Sequence, residues 1–361
     1  LGQGGTLLLD PKNITITDVA SAGSWAFSAI MGLGNGTDTD VSALDDDFFG
    51  HAVSLNAAGD RLAVGAFGDD GAGNVAFNTG AAYLFSFTDT DFNGGTLEST
   101  IGKGYTGGKN LDVANLDDSD FFGSSVSLNA DGDKLAVGAR TDVRVGNVAV
   151  GPGAAYLFSF ADTDFNGGTL ESTIGSGYTG GKNVDVTNLE NSDFFGSAVS
   201  LNGAGDRLAV GAQKDDGASN VASFPGAVYL FSFADTNFNG GALESTIGKG
   251  YSVGKNVDVV NLDNGDSFGS AISLNAAGDR LAVGALEDPG AGNAANSTGA
   301  AYLFSFSDTD FNGGTLESTI GKGYTGGKNV DVANLNDNDA FGSAVSLNGA
   351  GDRLAVGAPI D

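Results

Sequence analysis

From Phe195 to Ala212 the chain reads FGSAVSLNGAGDRLAVGA. Phe195, Ser197, Val199 and Leu201 fall on one side of an extended segment and Gly196, Ala198 and Ser200 on the other, the two-residue period of a strand. NGAGD then supplies a turn, because glycine enters positive φ without steric cost and Asn and Asp bond nearby backbone with their short side chains. Leu208 to Ala212 form an apolar return strand, so the stretch predicts a tight antiparallel hairpin. The pattern recurs from Phe49, Phe122, Phe268 and Phe341, each start 73 residues after the last (49 to 122, 122 to 195 and onward). A fixed period without insertions marks a structural unit.

The unit from Phe122 to Phe194 shows the rest of the pattern. Arg140 to Gly153 is a loop that differs between copies: FGDDGAGNVAFNTG, RTDVRVGNVAVGPG, QKDDGASNVASFPG, LEDPGAGNAANSTG. AAYLFSF from Ala154 is apolar on both faces, as in a strand sandwiched between sheets. ADTDFNGG reads as a turn, TLESTIG as a fourth strand, and the stretch from Tyr178 as a link to the next Phe-Gly pair. Four short antiparallel strands make one propeller blade. No stretch sustains a helical period. The fold class expected is therefore all-β, one repeat domain over 1–361. It divides into a closing segment 1–48, repeats 49–121, 122–194, 195–267 and 268–340, and a partial repeat 341–361.

The partial repeat supplies two strands. Residues 28–50 parallel the rear half of a unit, with Phe27 where later copies have Glu98, Glu171, Glu244 and Glu317. Thr6 to Thr17 and Ala26 to Met31 then read as a third and a fourth strand. Pairing the two ends predicts a five-bladed propeller whose last blade is completed by the N-terminal strands, which removes both exposed edges. A fragment of a longer array and an arrangement closed between chains stay open as alternatives.

An FG opening, a turn of Asn, Gly and Asp, a closing GA or GAP and then G-x-x-Y-L-F resemble the FG-GAP repeat of integrin α-subunit propellers; Gly357, Ala358 and Pro359 complete the motif literally. The resemblance covers all five units. It implies a β-propeller of adhesion or interaction type. Many family members carry a DxNxDG calcium loop in the first hairpin, where this chain has NGAGD, NAAGD or NADGD. The opening GGTLLLDPKNITI resembles segments of filamentous-haemagglutinin-type secreted bacterial adhesins, and an ordinary strand-turn-strand reads it equally well.

Composition narrows the function classes. A net charge of −29 excludes nucleic acid as a natural partner, since phosphate binding needs clustered Lys and Arg. With no cysteine, disulfides and thiolate chemistry are excluded. The chain starts at Leu1 without a signal peptide or an apolar run long enough to cross a membrane, and reads as a mature or partial chain. His51 is the sole histidine, and Ser124, Ser197, Ser270 and Ser343 replace it in the other copies, which reads as a surface replacement and not a catalytic base.

Three constellations remain as candidate chemistry. DTDFNGG and its variant place Asp89, Asp91 and Asn93; Asp162, Asp164 and Asn166; Asp235 and Asn239; and Asp308, Asp310 and Asn312 at the alternate spacing of a calcium loop. A polar hairpin with an Asn-Gly turn is the competing reading. Acidic runs precede each FG, as in Asp45, Asp46 and Asp47 or Asp117, Asp118 and Asp120, and read as solvated loop. Tyr105 with Lys109, Tyr178 with Lys182, Tyr251 with Lys255 and Tyr324 with Lys328 pair an aromatic with a lysine. With Arg140 and Arg144 of the variable loop they are candidates for contacting a partner, and packing over neighbouring apolar surface is the alternative for the pairs.

The variable loop and the blade-to-blade link share one face of a propeller. The function expected is an extracellular, non-enzymatic adhesion or interaction module of a secreted bacterial surface protein. It would bind a protein or glycan of a cell surface or matrix through that face, without membrane insertion. A structural subunit of an extracellular filament joined through its terminal strands is the alternative, and a calcium-dependent glycan-binding module a further one.

Overall fold

A computed structural model of the chain describes residues 31–32, 39–40, 47–143 and 151–360. Among these residues there is no helix. Blade 2 is representative: Phe122–Leu128, Lys134–Ala139, Ala154–Ser159 and Thr169–Gly175 pair antiparallel in sequence order, and the two-residue strand Val184–Asp185 adds in parallel to the fourth. Blade 1 (Ala52–Leu55 to Leu111–Asp112), blade 3 (Phe195–Leu201 to Val257–Asp258) and blade 4 (Phe268–Leu274 to Val330–Asp331) repeat this order. Blade 5 consists of Ala344–Leu347 and Leu354–Gly357. The β-propeller architecture is thus present, with four full blades and a half blade among the described residues.

The third strand is the core of each blade. Ala154–Ser159 is buried along its whole length. Tyr156 and Phe158 face the core shared with blade 1, while Ala155 and Leu157 face that shared with blade 3. This two-sided burial is why the segment reads apolar at every position.

The FG and VGA motifs are the two sides of one joint. Gly123, at φ +86°, brings its carbonyl oxygen against Gly65 of blade 1, where a Cβ would overlap it, and Gly196 does the same at Gly138. Phe122 also bridges in parallel to Gly80, and its ring lies fully buried, edge-on to Tyr156 at 5.4 Å. Each blade therefore opens by wedging Phe-Gly into the strand ends of the blade before it.

Two further contacts lock neighbours together. The Leu128 N–H donates to Ser54 Oγ at 2.9 Å, and Leu201, Leu274 and Leu347 repeat the bond one unit on. The hairpin tips form a ladder in which Ala57 N–H donates to Ala130 O, Ala130 to Gly203, Gly203 to Ala276 and Ala276 to Gly349. The ladder runs from blade 1 to blade 5, and among the described residues no hydrogen bond or ion pair joins blade 5 back to blade 1.

Beside blade 5, a cleft of about 300 Å³ is lined by Arg280, Phe304, Lys328, Leu347 and Leu354, where third and fourth strands stand in the full blades. Met31–Gly32 pairs in parallel with Thr39–Asp40, the pairing that Ile101 and Gly102 make with Leu111 and Asp112. The strand expected at Thr6 to Thr17, all but the last residue of that expected at Ala26 to Met31, and with them the completion of blade 5, lie outside the described residues.

Candidate interaction face

The variable loop and the blade link are knitted into one surface by backbone. In blade 1, Ser119 N–H donates to Phe77 O and Ala72 N–H to Lys103 O, while Asp118 Oδ1 accepts from Phe77 N–H. Blade 3 repeats this with Gly265 to Ser223, Ala218 to Lys249 and Ser223 to Asn264 Oδ1; blade 4 does so with Asn338 to Asn296, Ala291 to Lys322 and Asn296 to Asp337 Oδ1. A constant main-chain frame thus carries side chains that change from unit to unit.

Those side chains are unusually apolar for a surface. Val75 and Val221 are both 83% exposed, Phe77 is 63% exposed, and Phe48, Phe224, Val253 and Val260 are also open to solvent on these loops and links. Between blades 1 and 2, Phe67 stacks on Phe48 at 4.6 Å and meets Phe121 edge-on at 5.6 Å, with the Arg140 guanidinium 5.0 Å from the Phe67 ring centre. His51 lies edge-on to Phe67 at 4.6 Å, and burial with the nearby Arg140 charge lowers its pKa, which favours the neutral ring. Between blades 2 and 3, Lys214 sits 4.5 Å from the Phe194 ring and 5.5 Å from Phe224. Aromatic rings with a cation held over them supply rigid contact area at low entropic cost. Arg144 lies outside the described residues.

Below this face lies a buried polar layer that sequence reasoning missed. Asp215 accepts from Tyr229 OH at 2.6 Å, from Tyr251 OH at 3.1 Å and from Gly217 N–H at 2.7 Å. Asp69, Asp142 and Asp288 hold Tyr83 and Tyr105, Tyr156 and Tyr178, and Tyr302 and Tyr324 in the same way. Burial pushes these carboxyls up and the tyrosines further up.

Tyr105, Tyr178, Tyr251 and Tyr324 are therefore turned inward as pins under the loop, and do not present their rings as contact platforms. The available signal was that the third residue of the loop is Asp in every copy, while most of its other positions vary. The acidic runs need a similar correction. Their last members, Asp47, Asp120, Asp193, Asp266 and Asp339, are buried, and the solvated-loop expectation holds only for residues such as Asp117 and Asp118. Asp120 Oδ2 accepts from Asp117 N–H at 2.7 Å. Burial, with the next loop's carboxylate nearby, pushes Asp120 and Asp266 up to about 7; burial pushes Asp193 up to about 8.

The DTDFNGG turns lie at the third-to-fourth strand connection, where each is closed by hydrogen bonds of its own residues. Asp162 Oδ1 accepts from Asp164 N–H, Asn166 N–H and Asn166 Nδ2, and Nδ2 also donates to Oδ2. Asp89 with Asn93, Asp235 with Asn239 and Asp308 with Asn312 do the same. Each leading carboxylate is thus used in closing its own turn, which lowers its pKa. Asn166 presents its amide nitrogen, a donor, toward the carboxylate. Phe165, buried at φ +59°, fixes the bend by packing on Phe160 at 5.1 Å. Among the described residues no three acidic or histidine side chains converge as a metal set.

The second carboxylate and the lysines serve as clamps between blades. Arg61 of blade 1 donates to Thr163 O at 2.5 Å and pairs with Asp164 at 2.8 Å, and Arg207 repeats this on Thr309 O and Asp310. Lys109 pairs with Glu98 and donates to Asp164 O; Lys182 and Lys255 do so with Glu171 and Asn237 O, and with Glu244 and Asp310 O. Lys328 pairs with Glu317 and is otherwise exposed. At the junction between blades 2 and 3 the counterparts of the Arg61–Asp164 pair are Lys134 and Asn237, and Lys134 bonds Asp133 beside it at 2.6 Å.

Three segments, residues 37–85, 114–158 and 188–231, match the family model described as FG-GAP repeat. They coincide with strands one to three of blades 1, 2 and 3, including the joint glycines. A comparison with curated proteins finds no match.

Proposed function

We propose that this FG-GAP repeat chain is a non-enzymatic interaction module that binds a protein or glycan of a cell surface or matrix through the face formed by its variable loops and blade links. The observation that carries the reading is the concentration of exposed apolar and cation-capped aromatic side chains on that face, over a main-chain frame that is the same in each unit. A repeated scaffold with variation concentrated on one surface is the arrangement a binding surface uses, and apolar side chains gathered on such a surface supply contact area for a partner. FG-GAP repeats occur in interaction propellers, which supports the same reading. Secretion and an extracellular, adhesive role belong to this proposal. The net charge of −29 favours neutral or basic targets.

Binding of the purified chain to immobilised matrix proteins and to a glycan array tests it, with Val75→Ser, Phe77→Ser and Phe224→Ser combined. The triple variant is expected to lose binding at least about tenfold, the equivalent of ~1.4 kcal/mol, with an unchanged melting temperature. Undiminished binding by a folded triple variant would place the contact elsewhere. Glycan binding abolished by a chelator would instead favour the calcium-dependent glycan module.

A further inference from the structure

A cleft of about 460 Å³ opens on the loop face where the link from blade 3 meets the loop of blade 4. Val260, Asn261 and Asp263 of the link form one wall, Asn293 of the loop a second, and Thr325 and Asn329 of the following link a third. The segments that carry these walls, residues 257–266, 286–299 and 323–331, all belong to the described part of the chain. The walls are fixed by the fold itself. Gly290 N–H donates to Asp288 Oδ1 at 2.7 Å, Ala291 N–H to Lys322 O at 2.9 Å, and Tyr324 OH is pinned to Asp288 beneath. A ligand entering such a cleft pays little to order it.

The groups turned to the cleft are of both hydrogen-bonding senses. Asn329 Oδ1 accepts from Thr319 N–H at 2.8 Å, which leaves its Nδ2 as a donor of set orientation. Asn293 Nδ2 donates to Asp263 Oδ2 at 2.7 Å, which leaves Asn293 Oδ1 as an acceptor. The exposed Asn261 amide makes no hydrogen bond among the described residues and supplies one of each. Lys249 Nζ lies 3.7 Å from Asp263 Oδ1, so the one carboxylate of the cleft already has its counter-charge. Val260, 70% exposed, stands where the other links carry Ala114, Thr187 and Ala333, and adds an apolar edge.

We infer that this cleft is a subsite for a neutral saccharide of mono- or disaccharide size. Each sugar hydroxyl both donates and accepts, which suits alternating amide donors and acceptors, and the C–H edge of the ring suits Val260. A charged ligand would give up its hydration without meeting an unpaired opposite charge. The volume lies within the ~300–1,000 Å³ of small-molecule sites. The same design recurs one unit earlier, where Asn188, Asn220 and Tyr251 line a cleft of about 370 Å³. This inference rests on the loop face being the binding surface, and names a ligand class at one place on it.

Calorimetric titration of the chain with maltose, cellobiose, lactose and diacetylchitobiose tests it. At least one is expected to bind with a millimolar or lower Kd. Asn261→Ala, at an exposed position, should weaken that binding about tenfold with an unchanged melting temperature. Asn293→Gly, which keeps the left-handed backbone at φ +54°, should do the same. Val75, Phe77 and Phe224 lie outside the cleft, so their triple Ser variant should keep the sugar while losing matrix proteins, and the two readings fail separately. If none of the four sugars binds at millimolar concentration, the inference is overturned. Binding indifferent to both Asn substitutions would overturn it as well. So would binding lost on adding a chelator, because the sugar would then sit on a cation and not on these side chains.

Discussion

Gly138 has no room for a methyl group, because a Cβ there would overlap both the Gly196 carbonyl and the Ser125 hydroxyl. Gly107, at φ +84°, has nothing within 4 Å of the same position. The two glycines separate a close approach from a conformational need. Gly138→Ala is expected to cost about 3 kcal/mol or more, by forcing two blades apart. Gly107→Ala should cost about 1 kcal/mol, the strain of a left-handed backbone. Urea denaturation of the two variants measures the difference, and equal losses would contradict the joint described for the FG and VGA motifs.

The buried carboxyls set a pH dependence at the same scale. Asp120 and Asp266 stand at about 7 and Asp193 at about 8, above the ordinary carboxyl range. The native chain therefore holds protons that the unfolded chain has released. Their stabilising effect is complete below the unfolded value of about 4 and is lost as pH rises through 7 to 8. Each costs the fold up to about 1.4 kcal/mol per pH unit across that window. The melting temperature is expected to fall between pH 5 and pH 8.5, and Asp120→Asn, Asp193→Asn and Asp266→Asn together should flatten the profile. An unchanged slope in the triple variant would remove these groups as its cause.

At the scale of the element, the DTDFNGG turn is a docking piece. Its first Asp and its Asn close the turn, its Phe anchors it, and its second Asp with the backbone carbonyls takes Arg and Lys from the preceding blade. The junction between blades 2 and 3 has Lys134 and Asn237 in place of the charged pair. Introducing Lys134→Arg with Asn237→Asp should add an exposed ion pair worth about 0.5 kcal/mol, a gain that high salt removes. Asp162→Ala with Asp164→Ala should lower the melting temperature equally with calcium and with chelator, since the turn holds itself by hydrogen bonds. A calcium-dependent loss would favour the metal reading of this motif.

The elements show what was legible in advance. The third and fourth strands observed at Ala154–Ser159 and Thr169–Gly175 lie where the apolar run and the TLESTIG segment put them, because apolar alternation and turn residues are local signals. The short parallel strand Val184–Asp185 escaped notice, since two residues carry no periodicity. Tyr178 and Lys182 looked alike as exposed pairs, yet one bonds Asp142 beneath the loop and the other reaches the turn of the next blade. Such partners lie 36 and 55 residues away in the chain; the first pair meets only when the sheet of one blade forms, and the second only when two blades stack. The buried Asp before each FG was hidden for a different reason: composition assigns acidic runs to solvent, whereas the last member bonds the start of its own run.

On the scale of the whole molecule, the described blades repeat one Phe-Gly joint, and their loop face carries exposed apolar side chains that differ between units. Residues 213–226 carry Lys214, Val221 and Phe224 there, and residues 286–299 occupy the same frame in blade 4 with Glu287, Ala294 and Ser297. Exchanging the first segment for the second keeps length, the joint glycine and the Asp beneath the loop. The measurement that bears most directly on the proposed role is attachment of cells to surfaces coated with the chain, compared between the native sequence and this exchange. Loss of attachment with an unchanged melting temperature is the predicted result, because the blade is preserved while its contact residues are replaced. Full attachment by the exchanged chain would contradict the assignment of binding to this face.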